Sequence, residues 1–169
     1  DEVIARVGAA FDKLRVGDPF ADGTLVGPLV GRRSWEAMSD AIASARAQGG
    51  RLVTGGDRVD PDGGAVPEAV PEEGRDLGAR SERPAAAPVG YWVRPALLAM
   101  PAQAGVMLKE TFAPLLYAVR YDDLDEAIAL HNAVPQGLSG GIFTADIIEA
   151  ERYLALADTG IANVNAGTS

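Results

Sequence analysis

The sequence predicts an α/β fold, a mostly parallel sheet flanked by helices. Three observations carry the expectation. Downstream of residue 110, short apolar runs of strand character (Leu115–Val119, Leu138–Thr144, Ile161–Asn165) alternate with helical periodicity at residues 122–132 and 145–157. Upstream, two amphipathic helical patterns precede a short strand at Arg51–Thr54. Between these pieces Gly, Pro and Asp cluster as punctuation, as at Gly17-Asp18-Pro19, Gly49-Gly50 and Gln136-Gly137.

In order, residues 1–15 read as a helix, with Val3, Ile4, Val7, Phe11 and Leu14 at helical spacing and acids at its start. Residues 17–31 are too rich in Gly and Pro for a helix. Their apolar members Phe20, Leu25, Val26 and Leu29 predict a loop packed on the body. A second helix is expected from Arg32 to Gln48 with Trp35, Met38, Ile42 and Ala45 on one side. Residues 57–88 carry prolines at 61, 67, 71, 84 and 88 and few large apolar residues. Such a segment recovers little of its ordering entropy, so it reads as an extended, mobile surface insertion. Tyr91–Leu98 resumes as a strand, and Pro95 within it predicts an edge or a bulge. One helical turn is expected at Gln103–Val106. Acids at 122–126 cap a third helix with Leu124, Ala127, Ile128 and Leu130 inward. Thr144, Ala145 or Asp146 caps a fourth, with Ile147, Ile148, Ala150, Leu154 and Leu156 inward.

Composition bounds the function. At 169 residues with 47% hydrophobic and 23% charged residues, the chain suffices for one sizeable globular domain or for part of a larger one. A formal charge of −9 argues against nucleic acid, because no basic patch exists to neutralise phosphates. No apolar run is long enough to span a bilayer and no signal-peptide pattern opens the chain, so the expected location is the cytoplasm and no membrane partner is expected. The chain has no cysteine and a single histidine, His131, which leaves no thiol nucleophile and no metal-ligand cluster. His131 falls near a helix C-terminus with no base–nucleophile partner, a structural placement. Gly137-Leu138-Ser139-Gly140-Gly141 lacks the spacing and lysine of a phosphate loop, and Gly140 and Gly141 predict close approach of another backbone instead.

Lys109-Glu110-Thr111-Phe112-Ala113-Pro114 stands apart, an acid, an aromatic and a proline directly ahead of an apolar strand. Glu110 there can accept hydrogen bonds from sugar hydroxyls, and Phe112 can wall a flat ring. A capping or salt-bridging Glu110 with a core Phe112 explains the same residues equally well.

The order of motifs resembles the aldehyde dehydrogenase superfamily over nearly the whole chain, the 57–88 segment excepted. The matching pieces are Gly17-Asp18-Pro19, Gly27-Pro28-Leu29, Gly55-Gly56, Tyr91–Pro95, Glu110–Pro114, Glu126-Ala127-Ile128 with Asn132, Gly137-Leu138-Ser139, Ile142–Asp146 and Gly160–Asn165. The resemblance implies that residues 1–169 are the C-terminal part of an aldehyde dehydrogenase catalytic domain. It implies that Glu110 holds the nicotinamide-side ribose of NAD or NADP and that Phe112 lies beside the nicotinamide. Lys109 replaces the family's usual second acid and Ala113 its usual glycine. The Thr-Phe-Ala-Pro form, Asn163-Val164-Asn165 and Thr168-Ser169 are most similar to the aminoadipate-semialdehyde (antiquitin-type, piperideine-6-carboxylate) branch, which works in lysine catabolism. In that branch the substrate carboxylate is gripped just beyond Thr168-Ser169, so Gly167, Thr168 and Ser169 become the expected substrate loop. The implied parent is a homo-oligomer acting on a small aldehyde by cysteine attack, hydride transfer and thioester hydrolysis. This chain holds no catalytic residue of that sequence and is expected to be inactive alone. Another branch of the superfamily, or a non-catalytic α/β interaction module, are the alternative readings.

Overall fold

The computed structural model describes residues 2–60 and 90–167. Within them the elements run α1 (Glu2–Phe11), α2 (Arg32–Ala47), β1 (Arg51–Thr54), β2 (Arg58–Val59), β3 (Trp92–Val93), β4 (Ala96–Met100), a 3₁₀ turn (Gly105–Leu108), β5 (Leu115–Val119), α3 (Leu124–Asn132), β6 (Ser139–Ile142), α4 (Ile147–Leu156) and β7 (Ile161–Val164). The α/β class is as expected. The sheets are mixed rather than mostly parallel, for β1–β4 and β2–β3 pair antiparallel and β6–β7 parallel. The chain divides into two compact units, residues 1–101 with 109–118, and residues 102–108 with 119–169.

In the first unit the sheet order is β1-β4-β5. β4 is its centre, and Ala96, Leu97 and Leu98 are almost wholly buried because strands flank it and α1 and α2 pack on it. Met38 and Ala45 close the core from α2. The proline predicted to mark an edge or bulge does something more specific. Tyr91–Leu98 is split at Arg94-Pro95, so that β3 pairs with β2 while β4 joins β1 and β5. Pro95 has no N–H to donate, and the Ala96 N–H after it already goes to the Pro114 carbonyl at 2.9 Å. At the end of β1, Gly55 adopts φ 73°, and a side chain there would collide with the Pro95 carbonyl.

The 57–88 insertion lies outside the described residues from residue 61 onward. Its first residues correct the boundary, because Arg58-Val59 form a strand and Val59 is 1% exposed. The Arg58 guanidinium lies 4.4 Å from the Tyr91 ring centroid and donates to the Gly90 carbonyl at 2.9 Å. A second correction concerns the 17–31 loop. Val16 and Val26, and Leu29 and Tyr91, are bridged, but Phe20 (95% exposed) and Leu25 (73%) point away from the body.

In the second unit Asp123 caps α3 by accepting from the Glu126 N–H at 2.9 Å, and Asp146 caps α4 by accepting from Ile148 N–H at 2.7 Å. The Asp125–Arg152 ion pair joins the two helices. Ala150 and Tyr153, three residues apart, face inward, and Ile147, Ile148, Leu154 and Leu156 are exposed, contrary to the inward face expected for them. The helical turn expected at Gln103–Val106 is a 3₁₀ turn two residues later.

Candidate functional site

Residues 109–114 form an irregular approach to β5, fastened at its C-terminal end. The Pro114 carbonyl accepts from Ala96 N–H, and the Ala113 carbonyl accepts from Leu115 N–H at 2.8 Å. These bonds tie the approach to the buried centre of the sheet, so what precedes it is presented on a rigid support. Phe112 has φ 50°, the left-handed region that a bulky side chain adopts only at a cost, and its ring is 79% exposed. The core alternative for Phe112 is thereby excluded in this chain. Glu110 is exposed, and among the described residues its carboxylate has no hydrogen bond or ion pair, so it is not capping or salt-bridging within them. An uncommitted acceptor and an outward aromatic two residues apart form a surface suited to a hydroxylated, flat-ringed ligand. Burial pushes the Tyr117 phenol on β5 up from its ordinary range, an effect partly offset by the Thr111 side chain.

In the second unit the other expected contact surface begins at the end of β7. Gly167 is exposed, with nothing within 4 Å of where a side chain would stand. Thr168 and Ser169 lie outside the described residues. Immediately before them, Asn165 has φ 54° and binds Thr144 through its side chain at both the N–H and the carbonyl. Asn163 donates to the Gly140 carbonyl at 3.3 Å. Of the two glycines of β6, Gly141 faces backbone as expected, with the Ala166 and Asn163 carbonyl oxygens 3.6 Å from where a side chain would begin, and Gly140 does not. A side chain at Gly140 would strike the Tyr153 hydroxyl and the His131 ring, so side chains rather than a backbone fill the space. His131 meets Tyr153 edge-on with centroids 5.7 Å apart, as a packing residue in the last turn of α3. Asn132 accepts from Asp158 N–H and donates to the Leu156 carbonyl, each at 2.8 Å, closing the C-terminal end of α4.

A pocket of about 250 Å³ in the first unit, lined by Phe11, Asp12, Arg15, Thr54 and Arg94 among others, includes none of the expected site residues. Among the described residues no three His, Asp or Glu side chains gather as a metal site, and no helix is long and apolar enough to cross a membrane.

The family model for the aldehyde dehydrogenase family matches residues 1–70 and 65–169. The chain belongs to the aldehyde dehydrogenase family. It is 34% identical over 169 residues to aldehyde dehydrogenase family 7 member A1 of Pisum sativum, covering 99% of this chain and 28% of that protein. It is 33% identical to the alpha-aminoadipic semialdehyde dehydrogenase of Bos taurus, covering all of this chain and 27% of that protein. Among solved structures, aldehyde dehydrogenase 21 from Physcomitrella patens, in complex with the reaction product succinate, superposes with a TM-score of 0.72 at 26% identity over 99% of this chain and 29% of that one. The chain thus spans under a third of the length of these relatives. The matches bear out the resemblance to this family and to its aminoadipate-semialdehyde branch.

What sequence reasoning missed is the Asn165–Thr144 fastening. Asn165 was part of a quoted motif, but its partner lies 21 residues earlier. Only an asparagine directly after a strand hinted at a left-handed turn.

Proposed function

We propose that this chain is part of an NAD(P)⁺-dependent aldehyde dehydrogenase that oxidises a small semialdehyde bearing a carboxylate, with aminoadipate semialdehyde as the first candidate. Supporting the substrate class is the whole-chain likeness to proteins named as alpha-aminoadipic semialdehyde dehydrogenase. Supporting the cofactor role is the outward presentation of Glu110 and Phe112 on a loop anchored to β4 and β5. When bound, the nicotinamide cofactor accepts hydride from the substrate. The work of this chain is orientation. The Glu110 carboxylate accepts hydrogen bonds from the nicotinamide-side ribose hydroxyls, and the Phe112 ring shields one side of the nicotinamide. Gly167, Thr168 and Ser169 begin the loop that receives the substrate carboxylate. The nucleophile is supplied by the remainder of the parent protein, because this chain has no cysteine, and the family resemblance assigns the base that activates water to that remainder as well. The parent is a homo-oligomer of the cytoplasm, and this substrate places it in lysine catabolism.

The deciding experiment is Glu110→Gln in the full-length protein. A charge-assisted hydrogen bond exceeds a neutral one by roughly 1 kcal/mol, so the cofactor dissociation constant should rise about fivefold to tenfold. An unchanged constant and an unchanged hydride-transfer rate would refute the role of Glu110.

A further inference from the structure

The cavity of about 250 Å³ in the first unit lies where the end of α1, the end of β1 and the start of β4 meet. Val16, Val59 and Pro95 are buried and, with Phe11 and Leu14, give it an apolar floor. Three charged side chains, Asp12, Arg15 and Arg94, share the lining. Arg94 is balanced by Asp57 at 3.5 Å. Asp12 and Arg15 are not balanced, for among the described residues neither forms an ion pair.

Opposite charges three residues apart pair readily on a continuous helix. Here α1 ends at Phe11 and Val16 is bridged to Val26, so the chain leaves helical geometry between the two side chains. Each is held by a different neighbour instead. The Thr54 hydroxyl donates to Asp12 Oδ1, and Arg15 Nη1 donates to the Asp22 carbonyl at 2.7 Å. One carboxylate oxygen and most of the five guanidinium donors stay available. A carboxylate and a guanidinium kept apart on one apolar cavity match a molecule that carries both opposite charges and a hydrocarbon body. Such a molecule is neutral overall, so a chain of formal charge −9 does not repel it as it repels a simple anion. At roughly 30 Å³ for each water-sized group, the cavity holds about eight or nine non-hydrogen atoms.

We propose that this cavity binds a small α-amino acid with an aliphatic side chain, its ammonium on Asp12, its carboxylate on Arg15 and its hydrocarbon against Phe11, Leu14 and Val16. The lining shares no residue with the loop that carries Glu110 and Phe112, so the site stands whether or not that loop holds a cofactor. Both charges are required. A carboxylate alone leaves Asp12 facing hydrocarbon, and an amine alone leaves the Arg15 guanidinium without its acceptor.

The test titrates L-leucine into the full-length protein by isothermal titration calorimetry, with isocaproate and isoamylamine as controls that each lack one of its charges. L-leucine should bind with a Kd on the order of 1 mM. Each control should bind about tenfold more weakly, and Asp12→Asn and Arg15→Gln should each weaken L-leucine by about the same factor. No binding of L-leucine overturns the proposal, as does equal binding of either control. Binding that survives both variants and competes with the aldehyde belongs to the substrate site, and it overturns the proposal too. Should one variant melt well below the unmodified protein, the other variant and the two controls decide.

Discussion

Replacing Phe112 separates what its backbone costs from what its ring provides. The ring is 79% exposed, so about one fifth of a side chain of roughly 200 Å² is buried, about 40 Å² or ~1 kcal/mol. Phe112→Ala loses that contribution and keeps the strain of φ 50°. Phe112→Gly loses it too, but relieves about 1–2 kcal/mol of left-handed strain against about 0.5–1 kcal/mol of added chain entropy in the unfolded state. The glycine variant should therefore be about 0.5–1 kcal/mol more stable than the alanine variant, the reverse of the order at ordinary positions. Urea unfolding of the two full-length variants, followed by fluorescence and compared at matched slopes, measures the difference. Both should bind cofactor more weakly than the unmodified protein in an equilibrium titration. A glycine variant less stable than the alanine variant would refute the claim that residue 112 is strained. Cofactor affinity unaffected in both would refute the claim that the strain is maintained for binding.

Leu98→Ala empties a position at 0% exposure in the central strand and should cost about 2–5 kcal/mol in the same unfolding assay. Gly140→Ala sets a methyl against the Tyr153 hydroxyl and the His131 ring and should cost about 1–3 kcal/mol; a neutral outcome would mean the rings relax freely. The buried Tyr153 hydroxyl has no hydrogen-bond partner among the described residues, so Tyr153→Phe should be neutral or stabilising by about 1 kcal/mol at pH 7. Burial raises the Tyr153 and Tyr117 phenols above 10.0. Each folded-state value then exceeds the unfolded one, so this stability is fully present below pH 10 and lost as pH climbs through the raised value. Melting profiles above pH 10 should flatten in a Tyr117→Phe, Tyr153→Phe double variant.

Local chemistry made much of this protein legible. Arg51–Thr54 and Leu115–Val119 are strands with the expected limits, α2 starts at Arg32, and acids at 123 and 146 cap the helices they were expected to cap, since propensity and capping act within a few residues. The motif series identified the family, and Glu110 with Phe112 stood out as an acid and an aromatic where no periodic element explained them. Two kinds of fact lay beyond the sequence. One is pairing direction: apolar strands alternating with helices look alike whether their neighbours run parallel or antiparallel, and only the strand pairing itself shows β1–β4 and β2–β3 antiparallel. The other is the facing of side chains. In α4 Ala150 and Tyr153 are inside and Ile147 is outside, because the face a helix buries is chosen by what packs against it and not by its apolar residues alone. For Glu110 and Phe112, sequence alone left binding and packing equal. The outward ring at φ 50° and the uncommitted carboxylate came from the tertiary structure, because strain at one residue persists only where surrounding bonds, here those at Ala113 and Pro114, over-determine it.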